Sequence, residues 1–448
     1  MKQPLPNATK AVLRKGSREA IEASVSILKV HFRNSRWVGA ANRYRTNTIA
    51  RLRADVTAGR TVNHFHLAQY VAASAPLHCA DGWAFLGRAV DCHARRDYDS
   101  ARHFAYYAEL RAAFSLLAAE GIGIFERNHF AVEGPRRCVK FAGFTHQIAW
   151  QALEHWADLT RATRLLGSSI QVAGIALQEW LDHFPPSHSL RPVGSRWLKT
   201  WGLDLSAFAD DRESRNRASY RPTTLAERPV LSVTESADFI CNLWLLCEPT
   251  ALSLFERLDR HLLRCAVEEI FKGVHGGTTG ANAPRFSAEV GQMLSDVIPE
   301  SAARAEWLNF LTRATEPHDP IIISEAKETE SDDGPRQHVR MISRATLLLR
   351  TAAAASSRLL KESGVSTAEV KFWWSALGES RGFWERNGEP PNLTDLWADA
   401  ATSVAEVQAW NATSGNAGGT FKQWRQDRSY DIGVLGGCER IALWGLGL

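Results

Sequence analysis

Apolar residues recur at three- and four-residue spacing along most of this chain, the pattern of helices that bury one face. It predicts helices over 17–32, 62–74, 81–95, 100–120, 145–165, 170–183, 236–247, 250–272, 287–297, 301–314, 338–361, 366–378 and 394–410. Alternation of period two is scarce, and the short strand candidates are 130–132, 138–141 and 320–324. The expected fold class is therefore all-α, a two-domain helical bundle protein with at most a small β ribbon. The most informative helix is 100–125, SARHFAYYAELRAAFSLLAAEGIGIF, closed by Gly121 and Gly123. At 100° per residue, Tyr106, Leu110, Ala113, Phe114 and Leu117 form one apolar stripe, and His103, Tyr107 and Arg111 lie along its edge.

A chain of 448 residues exceeds a single core, so more than one domain is expected. The polar, proline-containing stretch 206–230 reads as a linker between residues 1–205 and residues 231–448. The glycine-rich 273–285 and the acidic 324–337 read as loops. Pro185 and Pro186 end the helix before them, because proline cannot continue the hydrogen-bond ladder.

Composition adds bounds. With 45% hydrophobic and 23% charged residues the chain is ordinary for a soluble protein. No run of about 18 apolar residues is present to span a bilayer, so no membrane partner is expected. The first twenty residues lack the apolar centre of a signal peptide, which makes the cytoplasm the expected location. Seven cysteines scattered among apolar residues fit reduced core thiols. The sixteen tryptophans read mostly as core or interface anchors.

The net charge of +4 conceals a basic N-terminal segment: residues 1–60 hold thirteen Lys and Arg against Glu19, Glu22 and Asp55. With Trp37 and Tyr44 interleaved, Arg33, Arg36, Arg43, Arg45, Arg51 and Arg53 are candidates to contact a phosphate backbone. The alternative is a solvated basic face or a contact with an acidic protein.

The segment ARHFAYYAELRAAFSLLAAEGI, followed by His129, resembles the characteristic helix of the HEPN domains, a superfamily of helical nucleotide-binding domains. In that helix a tyrosine pair precedes small residues, a leucine pair and a glycine. The resemblance covers about residues 81–129. It implies metal-independent RNA cleavage by an arginine and a histidine separated by four to six residues, histidine acting on the 2′-hydroxyl or the leaving group and arginine on the phosphate. It also implies a prokaryotic defence or toxin-like setting, and a cleft shared between two copies of the domain.

Arg88 and His93 have the implied spacing, as do Arg313 and His318, Arg60 and His66, and Arg96 and His103. In the family the pair follows the tyrosine helix, whereas Arg88 and His93 precede it. A second candidate set is Arg111 with His129 and His146, on and after the central helix. His78-Cys79 and Cys92-His93 invite a zinc reading, but no C-x2-C knuckle bends the chain between them, and no metal or cofactor is expected. Nucleophile-elbow, zincin, phosphate-loop and dinucleotide motifs are absent from the sequence. The competing expectation is a non-enzymatic helical adaptor, the scaffold subunit of a multi-protein assembly, with a protein partner or a second copy of itself.

Overall fold

The computed structural model describes residues 4–59, 61–190, 192–220, 231–298, 300–329, 336–415 and 418–447. Among them the chain is 69% helical, with 21 helices and two small antiparallel sheets, so the fold is all-α with a small β ribbon. Helices α1 (Asn7–Leu13), α2 (Arg18–Phe32) and α3 (Thr48–Thr57) lead into the long hairpin of α4 (His64–Ala94) and α5 (Tyr98–Ala119). Then comes the three-stranded sheet of β1 (Ile122–Gly123), β2 (Asn128–Gly134) and β3 (Arg137–Ala142), in the order β1-β2-β3. Helices α6 (Thr145–Ala157) and α7 (Thr160–Ser169), the hairpin β4 (Gln171–Val172)–β5 (Ile175–Ala176), α8 (Leu177–Asp182), α9 (Gly194–Thr200) and α10 (Phe208–Tyr220) complete the first half.

The second half is helical throughout: α11 (Val233–Leu246), α12 (Glu256–His275), α13 (Ala283–Val297), α14 (Ser301–Leu311), α15 (Ile321–Lys327) and α16 (Gln337–Glu362). It closes with α17 (Lys371–Ser380), α18 (Trp397–Trp410), α19 (Phe421–Asp427), α20 (Ser429–Leu435) and α21 (Glu439–Gly445).

The α4–α5 hairpin is the frame. Asp97 caps α5 by accepting from the Ser100 N–H at 3.2 Å. The antiparallel register is fixed by Ser115, whose hydroxyl donates to Ala75 O at 2.7 Å, and by Arg111 beside His78. Ala101, Ala105, Ala108, Ala112 and Ala113 are fully buried, and their small side chains let neighbouring helices approach α5 closely. Pro76 lies inside α4, where the sequence predicted a break between 74 and 81. Ala75, Pro76, Cys79 and Ala80 in that gap are buried, and packing there outweighs the lost hydrogen bond.

Other expectations change. The 320–324 strand candidate is the start of α15, because the apolar run continues into helix-favouring Ser-Glu-Ala-Lys after Pro320. Residues 170–176 turn back on themselves instead of forming helix. Ala173 (φ 53°) and Gly174 (φ 75°) make the turn, and Glu256 and Asp259 of α12 accept backbone N–H groups from Ala173 and Gln171. The 145–165 helix is two helices, α6 and α7.

The core does not part at 206–230. Residues 208–220 form α10, which docks on α5 and stacks Phe208 on Trp150 at 4.5 Å; 221–230 lie outside the described residues. From beyond that segment α16 packs along both α5 and α4, and one apolar cluster runs from Leu5 to Leu446. Trp83, Trp156, Trp180, Trp201, Trp244, Trp424 and Trp444 are fully buried in it.

The C-terminal helices are seated on α4 through a close backbone approach at Gly87, where a methyl group would meet Gly436 O and, at 3.0 Å, Cys438 N. Gly87→Ala is expected to cost about 1–3 kcal/mol by overpacking, measured as a lowered denaturant midpoint. No described helix is long and apolar enough to cross a membrane.

Candidate functional site

The edge of the central helix faces a cleft of about 340 Å³. Its walls come from α3 (Thr48, Ile49), α4 (Tyr70, Ser74, His78), α5 (Tyr107, Arg111, Phe114), β1 with the turn after it (Ile124, Phe125, Glu126) and the start of α6 (Thr145, His146). Aromatic and aliphatic side chains form the floor, while the Arg111 guanidinium, the His78 and His146 imidazoles, the Glu126 carboxylate and several hydroxyls supply the polar groups.

Arg111 is held by two neighbours on α4. Its Nη1 donates to His78 Nδ1 at 2.8 Å, and the same nitrogen lies 3.6 Å from Asp81 Oδ2. Accepting at Nδ1 places the His78 proton on Nε2. Burial, with the adjacent Arg111 charge, pushes His78 down to about 3, so it stays uncharged.

His146 sits in the first turn of α6, entered from Phe144 in extended conformation. Its Nδ1 is 2.8 Å from the Tyr106 hydroxyl, and the two rings stack at 5.7 Å. Burial lowers His146 from its usual value, and the positive charges of Arg215 and Arg212 on α10 add to this. Burial raises Tyr106 to about 12, so its hydroxyl keeps its proton.

The structure brings together only part of the expected sets. Arg111 and His146 share the cleft. His129 does not line it: fully buried in β2, it accepts from the Phe125 N–H at Nδ1 (3.0 Å) and is 3.0 Å from Gly143 O at Nε2, stapling the turn behind the cleft. Arg88 and His93 are not brought together. Five residues along α4 place them on different faces: Arg88 is exposed over Phe85 and Phe104, whereas His93 is fully buried, its Nδ1 3.0 Å from His338 Nε2. Along the polar edge of α5, Tyr107 and Arg111 face the cleft, and His103 is 2.9 Å from the Ser219 hydroxyl of α10.

The other spacing matches resolve as structure. Arg313 pairs with Glu268 and Asp319, not with His318, and Arg96 lies over Phe421. Arg60 lies outside the described residues. Among the candidate phosphate contacts, Arg33, Arg36 and Arg45 are exposed. Arg43 forks the buried Asp55, Arg51 donates to Arg43 O, and Arg53 pairs with Glu126 at the cleft rim. Arg43 and Arg51 hold the N-terminal segment together, and Arg53 ties it to the turn after β1.

No three His, Cys, Asp or Glu side chains converge as metal ligands would among the described residues. The His78-Cys79 and Cys92-His93 pairs serve elsewhere, with Cys79 buried in the core and His93 against His338.

Sequence reasoning missed His78 as the partner of Arg111, Tyr106 as the partner of His146, and the arginines of α10. A signal existed for the first: His78 follows Pro76 on an otherwise apolar helix, where an imidazole needs a partner. The third had none, because α10 carries no apolar periodicity. Comparison of the chain with family models, curated proteins and solved structures finds no match.

Proposed function

We propose that this cleft binds single-stranded RNA and cleaves it without metal through Arg111 and His146, the chemistry that the HEPN resemblance implies, in the cytoplasm and in a defence or toxin-like setting. The observation that carries the reading is that an arginine of the tyrosine-pair helix and a histidine of the next helix line one aromatic-floored cleft. Tyr70, Phe114 and Phe125 are aromatic side chains of the lining on which an unpaired base would stack. With Nδ1–H donated to the Tyr106 oxygen, the Nε2 lone pair of uncharged His146 takes the 2′-hydroxyl proton. The 2′ oxygen then attacks the adjacent phosphorus, and the 5′ oxygen leaves with a proton from solvent. The remaining N–H groups of Arg111 meet the charge that gathers on the phosphate.

The test is incubation of the full chain with single-stranded RNA in the presence of a metal chelator. Fragments ending in 2′,3′-cyclic phosphate are expected, with cleavage reduced about 100-fold or more in His146→Ala and Arg111→Ala and unchanged in Arg88→Ala. Intact RNA, or cleavage indifferent to both cleft substitutions, would leave the scaffold reading in its place.

A further inference from the structure

Helix α10 carries a buried cation that no carboxylate of the described residues answers. Arg215 is 9% exposed, forms no ion pair among the described residues, and its Nε has no hydrogen-bond partner. A guanidinium taken out of water without a counter-charge is penalised, so its surroundings must supply something in return. They are the two tyrosines of the central helix: the guanidinium carbon lies 5.0 Å from the Tyr106 ring centre and 5.6 Å from that of Tyr107. One of those tyrosines makes the only side-chain hydrogen bond found for His146 among the described residues.

We infer that Arg215 is a positioning residue for the cleft: seated on both tyrosine rings, it fixes the Tyr106 hydroxyl against His146 and keeps a positive charge facing the imidazole. It is not among the side chains that line the cleft, and acts through Tyr106. The inference rests on the cleft reading only in giving His146 a role; the geometry stands without it.

Among the groups facing His146, Arg212 of the same helix is a second cation, so Arg215 supplies part of the positive charge on that side. From α5 come Tyr106, Tyr107 and Arg111, from α4 His78 and Tyr70, and from the turn after β1 Glu126, whose carboxylate is paired with Arg53. From α10 come Arg215 and Arg212. His78 is uncharged and Arg111 is engaged with His78 and Asp81. Removing Arg215 takes away a cation on the Tyr106 side, and a histidine that loses a neighbouring cation protonates more readily. The midpoint of His146 must therefore move upward.

The experiment is a pH titration of the His146 imidazole by NMR in the full chain, assigned by its loss in His146→Gln. In the unmodified protein the midpoint lies below 6.5 and the nitrogen shifts report a hydrogen-bonded Nδ1. Arg215→Met, which keeps the apolar stem, is expected to shift the midpoint upward. Arg215→Lys keeps the charge and holds the midpoint low. Tyr106→Phe preserves the ring beneath Arg215 and removes the Nδ1 signature, providing a second readout should Arg215→Met fail to fold.

An unchanged midpoint in Arg215→Met, or an unchanged Nδ1 signal in Tyr106→Phe, overturns the inference. Because the readout is a titration, it stands or falls separately from RNA cleavage. If cleavage is observed, the acidic limb of its pH profile moves upward with Arg215→Met.

Discussion

Arg344→Met is expected to destabilise the protein by about 3–5 kcal/mol, the range for removing one partner of a buried ion pair. Arg344 of α16 forks Asp211 of α10, with Nε to Oδ2 at 2.9 Å and Nη2 to Oδ1 at 2.5 Å, and Gln337 adds a third donor at 3.0 Å. Asp211 is fully buried, and so is Glu109 of α5, whose carboxylate comes within 3.9 Å of Arg344. Burial holds Glu109 well above the usual carboxylate range, and the adjacent Asp211 reinforces it; burial also raises Asp211 despite Arg344.

Without the guanidinium Asp211 is left buried with no cation beside the raised Glu109, so it too must protonate or α10 must leave α5. Denaturant unfolding measures the loss. The double variant Arg344→Met with Asp211→Leu is expected to recover part of it, because the stranded Asp211 charge is gone and Glu109, raised by burial, stays protonated. A single variant as stable as the parent would mean that α10 contributes little to the core.

The second large effect is acid sensitivity centred on imidazoles kept neutral by burial. His93 and His129 are pushed down to about 4 and His261 to about 3, while His338 is held well below its usual value by burial and by His93 beside it. All four have a lower value folded than unfolded, where a histidine titrates near 6.5. At pH above that value neither state carries the proton, and their full contribution to stability is present. As pH falls from about 6.5 toward 4 the unfolded chain takes protons that the native chain refuses, and stability is lost at about 1.4 kcal/mol per pH unit for each imidazole.

The raised carboxyls of Glu109, Asp211 and Asp259 act in the opposite sense, since the native state binds their protons more tightly. The clean measurement is therefore a difference. Between pH 6 and 4.5 the stability of His129→Gln should fall less steeply than that of the parent by about one imidazole's slope. Parallel curves would show that His129 titrates alike in both states.

Much of this was legible in the sequence. The helical period located most of the long helices, and the paired residues of β2 and β3 were read correctly as short strands. Short or interrupted segments were misread for definite reasons. At Pro76 a local rule against proline lost to burial on both sides of α4. At 170–176 an apolar run that suits a helix was bent by Ala173 and Gly174 and tied down by carboxylates from α12, more than eighty residues away in sequence. The central helix reads as half-buried because only one apolar stripe is visible. It is buried over most of its surface because α16 and α10 cover its remaining sides, with Ala112, Ser115 and Glu109 buried among them.

The candidate site was legible as residue types and illegible as pairs. Spacing along one helix suggested Arg88 with His93, but a five-residue step puts them on different faces, one exposed and one buried. Arg111 with His146 was found because both flank the same connection, and His129 was drawn into that set although its ring is consumed in stapling the turn. The sequence by itself determined the helical class, the hairpin strands and the polar edge of α5, since these follow from the local periodicity of side-chain directions. Which charges meet was decided by the tertiary structure alone: Arg111 with His78, His146 with Tyr106, Arg215 over both tyrosines, Arg344 with Asp211. Desolvation and pairing depend on distance in space, and helices far apart in the chain set those distances only when they pack.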